Sequence, residues 1–298
     1  MAVWIDSDIG FDDIWSVLMV AASEKIAGLS LSFGCTQLAR VQDSASRAAA
    51  LFDWTFPIYV GAARPLLGPV ITAEDVLGPT GMRGGDLPSA PLRDDGDAVA
   101  ALAAWARDGA GPKRVLALAP LTNLAALYLA YPDAASRIDE IVWMGGALTT
   151  GNQTASAEYN AFADVEALAV LLDRGAPLRL VELDACRRVL VGAAQIDAVR
   201  AGGHAQAKLL ASLLDGYVDI ARSRGREKMA VYDPVAAAVF LDPSLGRYMP
   251  ARIDVELQGL TRGRTVIDTR KTVTPNASFL SELDADAVLR RCMAALTG

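Results

Sequence analysis

The chain has 298 residues, 52% of them hydrophobic and 21% charged, a makeup that excludes disordered, collagenous and low-complexity classes. Its 28 lysines and arginines stand against 35 aspartates and glutamates, a net charge of -7, which argues against a nucleic-acid partner because such binding draws on Lys and Arg to neutralise phosphates. Cys35, Cys186 and Cys292 lie far apart with no CxxC spacing, so neither a disulfide framework nor a zinc site is expected, and a reducing, cytoplasmic location fits.

In chain order, the stretch Met1-Ala2-Val3-Trp4-Ile5-Asp6 carries no basic region, and no secretory signal is expected there. Runs rich in β-formers at 2–5, 29–33, 58–60, 115–119, 141–144, 178–183 and 253–257 read as buried strands. Between them, 12–22, 41–52, 97–106, 121–130, 164–172 and 205–222 carry apolar residues at helical spacing, and 284–296 predicts a C-terminal helix. The apolar run 115–131 is interrupted by Pro120, Thr122 and Asn123 and falls short of a spanning helix, so no membrane association is expected. The alternation predicts an α/β fold with a mostly parallel central sheet covered by helices on both faces, its ligands beyond the carboxyl ends of the strands. Segment 61–95, rich in proline and glycine, breaks the rhythm as an irregular excursion, either a binding loop or an insertion packed on the sheet. Nothing marks a boundary, so 1–298 is expected to form a single domain.

Asp6-Ser7-Asp8-Ile9-Gly10-Phe11-Asp12-Asp13 sets four carboxylates directly between the first strand and the first helix. Like charges this close raise one another's pKa, and a folded protein holds them together when a cation or hydrogen-bond donors fill the shared space. A hard divalent cation suits oxygen ligands, and with His204 as the one histidine a nitrogen-rich site lacks support. Helix capping accounts for one or two of these aspartates, but does not call for Asp6 and Asp8 upstream. Asp233, inside the apolar stretch 229–241, is costly unless paired, coordinated or used as a cap ahead of Pro234. Asn152, Glu158 and Asn160 follow the strand at 141–144 and offer amides and a carboxylate suited to vicinal hydroxyls.

These segments, with Ala119-Pro120-Leu121-Thr122-Asn123-Leu124, Met144-Gly145-Gly146, Glu158-Tyr159-Asn160, Tyr232-Asp233-Pro234 and Arg262-Gly263-Arg264-Thr265-Val266-Ile267-Asp268, resemble the nucleoside hydrolase family, the inosine–uridine-preferring N-ribohydrolases, over nearly the whole chain. The resemblance implies a nucleoside hydrolase-like α/β domain with Ca²⁺ at the bottom of its pocket, a small nucleoside as substrate, and assembly as a homodimer or homotetramer. Residue by residue, it implies that Asp8, Asp13, the main-chain carbonyl of Thr122 and Asp233 bind Ca²⁺. It further implies that Asp8 is the general base and that Asp12, Asn152, Glu158, Asn160 and Asp233 hold the ribose hydroxyls.

Three positions depart from the family pattern. Tyr232 stands where many relatives carry the histidine that serves as acid to the departing base, and a phenol with an ordinary pKa near 10 is a weaker proton donor at neutral pH. The loop Val76-Leu77-Gly78-Pro79-Thr80-Gly81 lacks the histidine of pyrimidine-preferring relatives. Cys35 replaces an asparagine that bonds to the sugar; it reads either as a substrate-facing mark of a cysteine-bearing branch or as a small buried filler. Trp15, Phe162, Tyr217 and Tyr232 are candidates to stack on a base, though aromatics at helical spacing are more often core. Arg83, Arg222, Arg224 and Arg226 read as donors to a base or phosphate, or as surface charge. Two other functions compete with hydrolysis: a ribosyl- or nucleoside-binding protein with little turnover, and a phosphatase of the haloacid dehalogenase type built on Asp6 and Asp8.

Overall fold

A computed structural model describes residues 2–108 and 111–298. Its strands are β1 (Ala2–Ser7), β2 (Lys25–Leu31), β3 (Ile58–Val60), β4 (Arg114–Ala117), β5 (Glu140–Met144), β6 (Leu178–Val181), β7 (Leu190–Val191), β8 (Met229–Ala230), β9 (Gly246–Val255), β10 (Thr265–Asp268) and β11 (Ala277–Leu283). Nine of them form one sheet in the order β10-β9-β11-β6-β5-β4-β1-β2-β3, while β7 and β8 pair as a small antiparallel ladder. From β11 to β3 every neighbouring pair is parallel; β9 and β10 close one edge antiparallel.

Side-chain alternation explains why the parallel strands are apolar throughout. Val3, Ile5, Leu116, Val142 and Met144 enter the core on one face, and Trp4, Val115, Ala117, Ile141 and Trp143 enter the core on the other. Helices Phe11–Ala21, Ala207–Arg222, Asp233–Leu241 and Ala285–Thr297 cover the first face, and Ala98–Arg107, Thr122–Ala130 and Val165–Asp173 the second. Helix Asp233–Leu241 is buried from Asp233 through Phe240, which is why its sequence is apolar all round.

The chain runs β1, β2, β3 outward in one direction and then returns to place β4 on the other flank of β1. The strand order therefore reverses at β1, where an open parallel sheet leaves a crevice beyond its carboxyl ends. The acidic segment starts at that position.

The antiparallel edge departs from the sequence expectation. The strand expected at 253–257 is the end of the ten-residue β9, and β10 and β11 had no apolar run to mark them. β9 alternates exposed with more buried residues, β10 is four residues long, and β11 mixes buried Phe279, Leu280 and Leu283 with partly exposed Ser278 and Ser281 and exposed Glu282, so none carries the continuous apolar run of a buried parallel strand. The 29–33 strand begins earlier, at Lys25, and 178–183 stops at Val181, after which a short helix, Leu183–Cys186, begins. Segment 61–95 is irregular apart from Glu74–Leu77.

Glycine pairs that segment to the body. A Cβ on Gly216 would lie 2.2 Å from the Arg83 carbonyl carbon, and one on Gly84, at φ +86°, would lie 2.1 Å from the Ser212 carbonyl oxygen. Only glycine lets the excursion lie directly on helix Ala207–Arg222.

Candidate active site

Asp6 and Ser7 belong to β1, and their side chains diverge. Asp6 is fully buried and accepts hydrogen bonds from the Ser30 hydroxyl on β2 and from Asn123 Nδ2 at 2.8 Å. Burial pushes its carboxyl up to about 6 against those two donors. Asn123 also donates to the Leu31 carbonyl at 3.0 Å and accepts from the Ala62 amide at 2.8 Å, joining β1, β2 and the start of the excursion. Asp6 is thus structural, which corrects the reading of all four early carboxylates as one cluster. Asn123→Leu, which strands a buried carboxyl, is expected to cost about 3 kcal/mol, read as a shifted midpoint in urea unfolding.

Asp8 leaves the sheet and points into the crevice. It is followed by Ile9 at φ +47°, a left-handed conformation that a β-branched residue adopts only when its surroundings force it. That turn starts helix Phe11–Ala21 so that Asp13 folds back: its carboxylate accepts from Ser7 Oγ at 2.6 Å and from the Gly10 amide at 2.9 Å. The Cys35 amide, past the end of β2, donates to Asp8 Oδ2 at 2.6 Å. Gly34 makes this approach possible, because a Cβ there would fall 1.8 Å from Asp8 Oδ2.

Asp233 arrives from the far end of the chain as the first residue of helix Asp233–Leu241. Tyr232 occupies the N-cap position and no side chain caps the helix, so Asp233 is not spent on capping and its carboxyl reaches that of Asp13. Asp8, Asp13 and Cys35 bring ligating atoms within 4.8 Å of one another, as do Asp12, Asp13 and Asp233. Asp13 links the two groups. Among the described residues no arginine or lysine pairs with these carboxylates, and burial first, then mutual repulsion, raises Asp8, Asp12 and Asp233, Asp12 to about 7. Buried, unpaired, like-charged oxygens fit a hard divalent cation, and the cavity contains no imidazole that would favour a softer one.

The cavity above them opens to solvent and spans about 790 Å³ including its mouth. Asn152, Glu158 and Asn160 all reach it, together with Cys35 and Tyr232. Glu158 is the N-cap of helix Tyr159–Ala163, accepting from the Gly146, Asn160 and Ala161 amides at 2.8–2.9 Å; burial nevertheless pushes its carboxyl up to about 7. Asn160 Nδ2 donates to the Leu118 and Met144 carbonyls, both at 2.9 Å, leaving Oδ1 for the cavity. Asn152 is exposed at the rim, where its Oδ1 accepts from the Tyr159 amide.

Thr122 stands apart from this group. Its side chain does not line the cavity, and its hydroxyl donates to Asp164 Oδ2 at 2.6 Å. Trp15 is core, its indole bonded to the Cys292 carbonyl, and Phe162 lies under the Arg262 guanidinium. Tyr217 and Tyr232 do line the cavity. His204 does not; it packs edge-on against Phe52.

Two side chains that organise the site were not singled out from sequence. Ser7, inside the acidic segment, orients Asp13. Tyr159 donates its hydroxyl proton to a site shared by the Gly34 carbonyl at 2.7 Å and the Ile71 carbonyl at 2.9 Å, tying the excursion to the loop that holds Asp8. The Ser7 position inside the motif was a usable signal; nothing in the sequence marks the Tyr159 contact.

The family model described as inosine-uridine preferring nucleoside hydrolase matches residues 3–290. The pyrimidine-specific ribonucleoside hydrolase RihA of Salmonella typhimurium is 30% identical over 293 residues, covering 95% of this chain and 94% of the relative, and RihA of Enterobacter sp. matches to the same extent. Among solved structures, a plant nucleoside hydrolase superposes with a TM-score of 0.93 at 24% identity, covering 100% of this chain and 99% of the other. A purine-preferring ribonucleoside hydrolase from Gardnerella vaginalis gives 0.93 at 23% identity, covering 100% and 98%. These structures share the fold, with the same large, mostly parallel sheet in a single α/β domain. The chain belongs to the inosine-uridine preferring nucleoside hydrolase family.

Proposed function

We propose that the protein is a Ca²⁺-dependent hydrolase of the N-glycosidic bond of ribonucleosides, releasing ribose and a nucleobase. The observation that carries this reading is the convergence of Asp8, Asp12, Asp13 and Asp233 at the floor of one cavity with no basic partner. Asp8, Asp13, Asp233 and the Thr122 carbonyl would hold the ion. When bound, a divalent cation supplies positive charge that keeps these carboxylates ionised and makes a nearby water more acidic.

Asp8 is the base: the Cys35 amide fixes its carboxylate, which takes the proton of the water attacking the anomeric carbon. Asp12, Asp233, Glu158, Asn152 and Asn160 hold the ribose hydroxyls, Asn160 through the oxygen its strand-end contacts leave free. Negative oxygens around the sugar then stabilise the oxocarbenium character that grows as the bond to the base stretches. Tyr232 lines the cavity, but burial pushes its hydroxyl up to about 12, so it serves as a hydrogen-bond donor that keeps its proton. Cys35 faces the sugar end as a small, weakly bonding neighbour. Three buried, unpaired cysteines accord with a cytoplasmic setting, and no helix among the described residues is long and apolar enough to cross a membrane. Assembly as a homodimer or homotetramer belongs to the same family-based reading.

Reducing-sugar release from inosine, uridine, adenosine, cytidine and p-nitrophenyl riboside tests the reading. Turnover of a natural nucleoside, lowered by about 10³-fold or more in Asp8→Asn, is expected. Absence of any cleavage by a calcium-loaded protein that still binds nucleosides would replace it with the binding-protein reading.

A further inference from the structure

The sugar end of the cavity is rich in carboxylates, yet the departing base also needs a partner. When the C1′–N bond breaks, its electron pair passes to the base nitrogen, and the base leaves as an anion unless it is protonated or its charge is offset. Two phenols at the cavity are already engaged: Tyr159 donates towards two carbonyls, and Tyr217 donates towards the Ala230 carbonyl and Asp12.

Arg224 is different. It follows helix Ala207–Arg222, is exposed at the rim, and is the one cationic side chain among the residues lining the cavity. Nearby, Arg222 pairs with Asp215 and Asp219 at 2.7 Å and Arg187 donates to the Thr150 and Gly151 carbonyls, while Arg226 does not line the cavity. Among the described residues Arg224 has no ion pair and no side-chain hydrogen bond. Apolar Val76, Leu77, Ile220 and Met229 line the same cavity, giving a flat base apolar walls.

We propose that Arg224 is a specificity-determining residue that binds the departing base and selects 6-oxopurines, an inference that rests on the nucleoside hydrolase reading. A guanidinium fork matches the paired acceptors O6 and N7 of a 6-oxopurine, whereas adenine presents an amino donor in place of O6 and is mismatched. Negative charge released from N9 spreads over the same ring, so the contact strengthens as the bond breaks. Asp8 takes one proton from water, the base leaves as an anion held by the guanidinium, and the base then takes a proton from solvent at the open rim. Asp8 returns its own to solvent, and the step balances.

The test is kcat/KM on inosine, adenosine and p-nitrophenyl riboside for the wild type, Arg224→Lys and Arg224→Met, substitutions at an exposed site. Inosine should be preferred over adenosine by the wild type and should lose about 30-fold in Arg224→Met, mostly in kcat, with partial recovery in Arg224→Lys. Adenosine and the activated riboside, whose aglycone leaves readily, should lose about threefold or less. Equal losses on all three substrates, or none on inosine, would overturn the proposal. If the wild type cleaves no nucleoside, the hydrolase reading fails on its own. Calorimetric binding of inosine and adenosine then decides: tighter inosine binding that Arg224→Met removes supports Arg224 as the selector, and equal affinities in the wild type overturn it.

Discussion

Stripping the divalent cation with a chelator is expected to abolish ribose release and to lower the melting temperature by on the order of 5–10 °C at about pH 8, with little change at about pH 5. The cause is the buried carboxylate cluster. Burial raises Asp13 above the ordinary carboxylate range, and burial with mutual repulsion raises Asp8 and Asp233 above it and Asp12 to about 7. A carboxyl whose folded pKa is raised binds its proton more tightly in the folded chain. The stability that this proton contributes is present at low pH and is lost as pH rises from about 4 through the raised values. Cation-free protein should therefore weaken steadily between about pH 4 and pH 8, while a bound cation takes the place of the protons and keeps the loaded protein stable. Differential scanning calorimetry with and without chelator across this range measures the gap. A gap independent of pH would separate the cation from the carboxylate cluster.

Gly34→Ala is expected to lower kcat by about 100-fold or more with a far smaller effect on folding. A Cβ at this position would lie 1.8 Å from Asp8 Oδ2 and 2.6 Å from its carboxyl carbon, so the carboxylate must rotate away from the Cys35 amide that aims it. Displacing a base by about 1 Å costs roughly 10²-fold. The global sheet is untouched, because Gly34 lies beyond the end of β2. Steady-state kinetics paired with urea unfolding separates the two effects: a parallel collapse of stability would make Gly34 a folding residue instead.

Much of the fold was legible because buried parallel strands and amphipathic helices have distinct periodicities. Val3-Trp4-Ile5 and Val115-Leu116-Ala117 are apolar because each side chain meets a core on one face or the other. The antiparallel edge was legible only at 253–255, since Arg247, Pro250, Arg252 and Asp254 sit among the residues of β9 and solvent accepts them. At the site, the density of aspartates after β1 was the readable signal, but density alone could not separate Asp6 from its neighbours. That separation depends on the strand pleat, which turns Asp6 towards Ser30 and Asn123, and on the left-handed Ile9, which redirects the chain before Asp13. Asp233 was legible as an anomaly, a carboxylate in an apolar helix. Its competing role as a cap is removed by the placement of Tyr232 at the N-cap. The contact of Tyr159 with Gly34 and Ile71 spans separations of 125 and 88 residues, which no local pattern encodes.

We propose that one carboxylate cluster holds the cation on which ribonucleoside cleavage depends. The most direct test is to count bound calcium per chain in the wild type, Asp13→Asn and Asp233→Asn, and to measure ribose release on the same samples before and after chelation. One ion per chain in the wild type, lost together with turnover in both variants and on chelation, and restored to the wild type by added calcium, is the predicted result. Full turnover by protein that carries no divalent cation would contradict it.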